Sequence, residues 1–420
     1  MGGPSRGVLF FVMFGCLIGQ AQQGSSHFAL KDGDCVVFYG DSITEQKLYT
    51  SDVEEFVLTR FPRWKVSFVH SGVGGDKVSG GRAGPIDLRL ERDLLAYQPT
   101  VVTIMLGMND GYTRPNNPAI LATFADGYRH IVEVIQSKAP GVRLLLIKPS
   151  PYDDVTRSVS FPGGYNSVLQ SFGEFIGDLA HEKRLQTADL NTPVVAALTK
   201  AKDLDASLST TLIPDRVHPG TGVHWVMAEA ILKTWDAPAV VTSVTLDATK
   251  LQIAVEALNS RITRLRRDKN SLTWTQDDEA LPLPLASSAA DPFLDLAVRS
   301  SDLVDALDRE ILSVKGLPPA KYRMTIDDRV VGTFASEQLA AGINLALLDT
   351  PMREQAFLVA FDTERKNDIA KARFGLVEKE MDGLSQEAAD KLSRLELRAV
   401  ARQRQDAQPV ARRYSLSVTP

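Results

Sequence analysis

With 420 residues, 44% of them hydrophobic, and a formal net charge of −5, the chain can bury a sizeable core and is long enough for about two domains. Its mild acidity offers no clustered basic face of the kind that binds nucleic acid. Two cysteines exclude a disulfide-dense scaffold, and the six histidines fall in no HExxH or Cys/His cluster, so no zinc site is indicated.

The chain opens on an export signal. Arg6 precedes the apolar run "VLFFVMFGCLIG" (8–19) and the small-residue site Gly19-Gln20-Ala21. The run is too short to span a bilayer, so residues 1–21 read as a signal peptide cleaved after Ala21, with no transmembrane anchor left. The protein is then periplasmic or extracellular. A lipoprotein would use Cys16, but Phe14 is a poor neighbour and apolar residues continue past it. Once the signal is removed, Cys35 has no intrachain partner and reads as a small core residue.

Apolar strand-like runs then alternate with helical periodicity. "CVVFY" (35–39), "KVSFV" (65–69), "TVVTIML" (100–106), "VRLLLI" (142–147) and the short "TADL" are separated by helical stretches around 46–60, 86–96, 118–138 and 165–184. Helices around 192–202 and 221–235 close the series. Continuous apolar strands between helices imply a parallel sheet covered on both faces, an α/β architecture whose functional groups gather beyond the strands' carboxyl ends. This unit spans 28–240. Beyond it the texture changes to an α+β extension, 241–420: a helix expected at 301–315, a β-hairpin at 321–335 turning at Asp327-Asp328, and a short helix capped by Ser336 and stopped by Gly342. From 352 to 405 the chain reads as a charged, amphipathic helical pair packed on the body, with a lid or dimerisation role as the alternative.

Four motifs lie at the strand ends. "VVFYGDSITE" (36–45) delivers Ser42 at the end of the first strand, where a Gly-Asp-Ser turn by itself is only a turn; a serine becomes nucleophilic when a base takes its proton. "IPDRVHPGTGVHW" supplies the base candidate. Asp215 and His218 are three apart, so the carboxylate can accept the imidazole Nδ1–H and leave Nε2 for the serine proton. The plainer reading is a surface loop in which Asp215 caps a turn and pairs with Arg216. His224, six residues on, is a weaker base candidate, since it lies in the helical pattern without a nearby acid. "HSGVGGDKVSGG" (70–81) could aim a backbone N–H at a developing oxyanion, and "LGMNDG" (106–111) adds the Asn109 amide. The glycine loop lacks GxGxxG order and a following P-loop lysine, which disfavours phosphate binding.

In this order along the chain, the four motifs resemble those of the SGNH hydrolases, the GDSL esterase and lipase family, over about residues 34–236. The resemblance implies a three-layer α/β/α flavodoxin-like domain with no metal or organic cofactor. It assigns Ser42 as nucleophile, His218 as base and Asp215 as its orienting partner. The oxyanion hole would comprise the Ser42 N–H, the Gly75 N–H and the Asn109 side chain, with Gly74 the alternative to Gly75. Asp41 would support the turn. His70 stands where the family often has Asn, which bears on how the loop is anchored. Glu45-Gln46-Lys47 replace a common glycine and imply a more polar rim. The Gly-x-Ser-x-Gly elbow of α/β-hydrolases is missing, since Thr44 occupies its last position.

The expected activity is carboxylic ester hydrolysis through an acyl-serine, on a small-molecule or polysaccharide-linked ester. One alternative is a carbohydrate O-acetyl esterase. Another, of a different class, is an inactive glycan- or protein-binding module. The walls of the pocket are expected from loops 112–118 and 149–164.

Overall fold

The computed structural model describes residues 27–249, 252–286, 290–378 and 383–419. The signal segment 1–21 and Cys16 lie outside the described residues. Five strands form one sheet: β1 (Cys35–Gly40), β2 (Ser67–Gly72), β3 (Val101–Met105), β4 (Arg143–Lys148) and β5 (Gln186–Asp189). Their order is β2-β1-β3-β4-β5, and every pair is parallel. β3 is buried at all five positions, as its continuous Val-Val-Thr-Ile-Met run requires of a strand covered on both faces.

Helices α1 (Ser42–Glu45), α2 (Leu48–Arg60), α3 (Ile86–Asp93), α4 (Pro118–Lys138), α5 (Asn166–Lys183), α6 (Asn191–Leu204), α7 (Ala206–Ser209) and α8 (Thr221–Thr234) connect and follow the strands. α2 packs on α8 and α6 on α8, while α3 meets α4 and α4 meets α5. These two groups cover the two sides of the sheet, giving the expected three layers. α4 starts where local chemistry dictates: Asn117 Oδ1 accepts from the Ala119 N–H at 2.8 Å, and Pro118 takes the first helical position.

The chain then builds β6 (Val240–Asp247), β7 (Ala254–Leu258), β8 (Ser260–Arg267), β9 (Ser271–Asp278), α9 (Pro292–Ser300), α10 (Leu303–Leu307), β10 (Arg309–Lys315), β11 (Lys321–Ile326), β12 (Arg329–Ala335), α11 (Ser336–Ala341), α12 (Pro351–Glu378), α13 (Gly383–Asp406) and β13 (Arg412–Val418). An antiparallel sheet runs β8-β9-β13-β11-β12. A mixed sheet holds β10, β6 and β7. Stacked Trp274 and Tyr414, 5.1 Å between centroids, lie at the centre of a second core with Met324 and Leu416. The chain also returns to the first core, where Leu283, Leu294, Leu303 and Leu307 pack.

The expected hairpin is β11–β12. Asp327 and Asp328 turn it at φ 48° and 67°, the left-handed conformation of a tight hairpin turn. The helix expected over 301–315 is incorrect: α10 ends at Leu307, and residues 309–315 form β10, which pairs in parallel with β6. Asp308 breaks the helix by accepting the distant Leu283 N–H at 2.9 Å, and Leu312 and Val314 are buried in the sheet contact. The α11 cap is Ala335 rather than Ser336. The Ala335 N–H donates to Gln338 Oε1, and Gly342 ends the helix at φ +97°.

α12 and α13 are the expected helical pair, and they dock through buried ions. Lys366 Nζ sits 2.5 Å from both Glu54 oxygens. Glu54 also accepts from Gln403 at 3.0 Å and from His70 Nε2 at 3.0 Å, while Thr50 bonds His70 Nδ1 at 2.7 Å. Burial raises the Glu54 carboxyl, but Lys366 and His70 outweigh it and bring the pKa down to about 2. His70, lowered by burial to about 4, is a neutral link between β2 and α2. His70, where the resemblance would place Asn, thus holds the carboxylate on which the helical pair docks.

Lys366→Met leaves Glu54 without its ammonium. Stability at pH 7 should fall by about 3–5 kcal/mol, the usual cost of breaking a buried pair. Because Glu54 in the folded protein titrates near 2 rather than 4.5, the pair's contribution is complete above pH 4.5 and declines as pH falls toward 2. The deficit of the variant should therefore shrink in acid, as urea unfolding at pH 7 and pH 4 will measure.

Candidate active site

β1 ends at Gly40, and the chain must turn at once beneath β3. A Cβ on Gly40 would lie 2.2 Å from Thr44 Oγ1 and 2.7 Å from the Met105 carbonyl, so only glycine fits. Asp41 then caps α1, its Oδ1 accepting from the Ile43 N–H at 3.0 Å. Its carboxyl is pushed up to about 7 by burial, against the Ile43 bond and with a contribution from the charges of Asp110 and Asp76. Ser42 is the first residue of α1 and stays partly exposed.

The loop 214–219 brings the base candidate to it. Asp215 Oδ1 accepts from the Val217 and His218 N–H groups at 2.9 and 2.7 Å, which folds the loop back on itself. Asp215 Oδ2 lies 2.6 Å from His218 Nδ1, and His218 Nε2 lies 2.8 Å from Ser42 Oγ. Ser42, His218 and Asp215 therefore form one hydrogen-bonded chain. Partial burial raises the Asp215 carboxyl, but the His218 backbone N–H, its imidazole and the Val217 N–H outweigh it and hold the pKa below the ordinary value. His218 and Asp215 side chains keep 36% and 56% exposure, so solvent and a ligand can reach them.

Arg216 does not pair with Asp215. It adopts φ 72°, and its guanidinium turns away to the Ser158 carbonyl at 2.8 Å and to Asp154 at 3.6 Å. The Asp153 N–H bonds the Arg216 carbonyl at 2.9 Å. Loop 149–164, expected as a rim, thus braces the His218 loop.

The glycine loop stands against Ser42 on the other side. A Cβ on Gly74 would fall 3.9 Å from Ser42 Cβ and 2.8 Å from Glu45 Oε2. Gly75 has φ +79°, is exposed, and has nothing within 4 Å of its absent Cβ. Asn109 is tied to this loop, its Nδ2 donating to the Asp76 carbonyl at 3.0 Å; an amide NH2 carries a second hydrogen for a ligand. Asp110 Oδ1 accepts from the Val78 N–H at 3.0 Å, and Tyr165 holds the Met108 carbonyl at 2.6 Å. Beneath the loop, buried Asp76 pairs with Arg89 at 2.8 Å. Glu45 and Arg82, paired at 2.7 Å, make the rim beside Ser42 charged.

His224, the weaker base candidate of the sequence, holds backbone instead. It is fully buried, and its Nδ1 accepts from the Tyr49 N–H at 3.1 Å, capping α2 where the Lys47 side chain makes no cap bond. Nε2 therefore carries the hydrogen and faces Gln46 Oε1 at 3.2 Å, while Gln46 Nε2 reaches the Pro219 carbonyl at 3.5 Å. Burial lowers the His224 pKa to about 3 and keeps the capping lone pair available. Only the meeting of α2, α8 and the His218 loop reveals this joint. Among the described residues, no group of three or more His, Cys, Asp or Glu side chains could hold a metal, and no helix is long and apolar enough to cross a membrane.

Residues 38–226 match the sequence profile of the GDSL-like Lipase/Acylhydrolase family. An acetylxylan esterase from Geobacillus stearothermophilus is 24% identical over 225 residues, covering 48% of this chain and 93% of the relative. A solved structure of an acetylxylan esterase from the same organism is 21% identical, with a TM-score of 0.40 over 50% of this chain and 96% of its own. A gut microbial diltiazem-metabolizing enzyme is 24% identical with a TM-score of 0.79, covering 94% of this chain and all of its own. That likeness extends through the C-terminal half.

Gly72→Ala should displace α1, since its Cβ would lie 2.1 Å from the Glu45 backbone nitrogen. Overpacking of this kind costs about 1–3 kcal/mol. Denaturant unfolding will register that loss, and a midpoint equal to that of the parent protein will refute the close approach.

Proposed function

As a carboxylic ester hydrolase that belongs, through residues 38–226, to the GDSL-like lipase/acylhydrolase family, this chain is one that we propose to be an exported serine esterase. In this reading Ser42 is the nucleophile. The observation that carries it is the Ser42–His218–Asp215 hydrogen-bonded chain at 2.8 and 2.6 Å.

Neutral His218 takes the proton of Ser42 Oγ through Nε2 while Oγ bonds to the ester carbonyl carbon. Asp215 holds the opposite Nδ1–H and stabilises the imidazolium. The carbonyl oxygen becomes negative in the space faced by the Ser42 N–H, the Gly75 N–H and the free hydrogen of the Asn109 amide, with Gly74 as the alternative backbone donor. One such donor contributes on the order of 3–4 kcal/mol in the transition state. The imidazolium returns its proton to the departing alkoxide, leaving an acyl-serine. Water, deprotonated by His218, then releases the carboxylate and restores Ser42.

The charged Glu45–Arg82 rim favours a polar alcohol half, which agrees with an O-acetyl group on a carbohydrate, as the name of the acetylxylan esterase relative suggests. Release of acetate from acetylated xylan far faster than from aryl acetates will support that substrate class, and the reverse order will exclude it. A non-catalytic binding module fits poorly, because a scaffold has no need of a serine hydrogen-bonded to an acid-oriented imidazole. Arg6 and the apolar run 8–19 support export.

Ser42→Ala should abolish p-nitrophenyl acetate turnover, and equal rates in both proteins will refute the assignment.

His224→Leu removes the joint between α2 and the His218 loop without touching the ester. We expect kcat to fall about 10- to 100-fold with KM little changed, as misplacement of reacting groups does. His224→Gln, which can both accept and donate, should recover part of the loss. A parallel rise in KM, or no rescue, will show that His224 serves stability alone.

A further inference from the structure

Between the edge strand β2 and the C-terminal helical pair lies a cavity of about 680 Å³, within the range of small-molecule sites. Val66, Phe68 and Val69 form one wall, and Phe374, Leu397 and Val400 the other. Such walls hydrate poorly and favour an apolar guest. Ser42, His218, Asp215, Gly75 and Asn109 are not among the lining residues, while the rim pair Glu45 and Arg82 is, so this space adjoins the proposed ester site from behind that rim.

Its charge is lopsided. Of the cations that line it, Lys366 is neutralised by Glu54, Arg373 by Glu396 at 3.0 Å, Arg82 by Glu45, and Arg89 by Asp76 and Asp93. Lys47 and Lys371 remain. Among the described residues neither has a carboxylate within 4.0 Å, and Lys47 Nζ donates only to the Asn367 carbonyl, at 2.8 Å. Burial and the nearby charges of Lys366 and Lys371 push the Lys47 pKa down to about 8, while Asp368 and Glu396 oppose this more weakly. An ammonium held among other ammonium groups in an apolar space is stabilised by a bound anion.

We propose that this cavity binds an amphiphilic organic anion, its carboxylate held by Lys47 and Lys371 and its hydrocarbon body lying between β2 and the α12–α13 pair. Lys47 follows α1 by two residues, and Glu45, the last residue of α1, also lines the cavity. The guest therefore sits against the segment that carries Ser42.

The test is calorimetric titration of the full mature chain with dodecanoate and, separately, with dodecanol. Dodecanoate should bind at micromolar concentration and the alcohol about tenfold or more weakly, corresponding to at least one charge-assisted contact. Lys47→Met and Lys371→Met should each weaken dodecanoate binding about tenfold and leave dodecanol binding unchanged. Val400→Trp should weaken both ligands by narrowing the space between the two walls. Lys371 is exposed, so its replacement is tolerated by the fold and keeps the test decisive if another variant fails to fold. Equal affinity for acid and alcohol, dodecanoate binding indifferent to both lysine replacements, or binding unaffected by a folded Val400→Trp protein will each overturn the proposal. None of these measurements depends on ester turnover, so the proposal and the esterase reading stand or fall separately.

Discussion

The structure depends on all five strands of the main sheet running the same way. A parallel sheet presents the carboxyl ends of its strands on one side, and the loops that leave them must share that side. Ser42, the glycine loop and Asn109 follow β1, β2 and β3 and so emerge together. His218 arrives from a loop ahead of α8, which packs against α2. The hydrogen bond between Ser42 and His218 therefore closes over 176 residues of chain without either loop being long.

Precision at that meeting point comes from backbone contacts. Gly40 and Gly72 let α1 press against β3 and β2 where a single methyl would collide. Asp41 spends its carboxyl on a cap, Asp215 on two backbone N–H groups as well as the imidazole, and His224 on the start of α2. Each of these side chains turns an otherwise mobile turn into a fixed one. That is what the proposed oxyanion site would require, since its donors must be in place before charge develops.

The C-terminal half does more than trail the hydrolase unit. It returns leucines to the first core and inserts Lys366 against Glu54, a contact between residues 312 apart. A carboxylate at 3% exposure is tolerable only because an ammonium, an amide and an imidazole surround it. Docking on ions rather than on continuous apolar surface leaves space beside β2, and the cavity described above occupies it.

The alternation of apolar runs and helical stretches determined the parallel α/β core, because strands buried on both faces and amphipathic helices are local patterns. The spacing of Asp215 and His218 and the Gly-Asp-Ser turn were legible for the same reason: their chemistry is contained within a few residues. Residues 309–315 were not, since their apolar spacing fits a helix equally well and only pairing with β6 decides for a strand. The sequence offered His70 as a stand-in for Asn in the glycine loop and His224 as a weaker base, but their work depends on Glu54, Thr50, Tyr49 and Gln46, which a linear reading cannot place beside them. What the chain determined alone was thus everything governed by neighbours in sequence. Burial, ion pairing and the space between β2 and α12–α13 arise from contacts between distant segments, and only the tertiary structure could decide them.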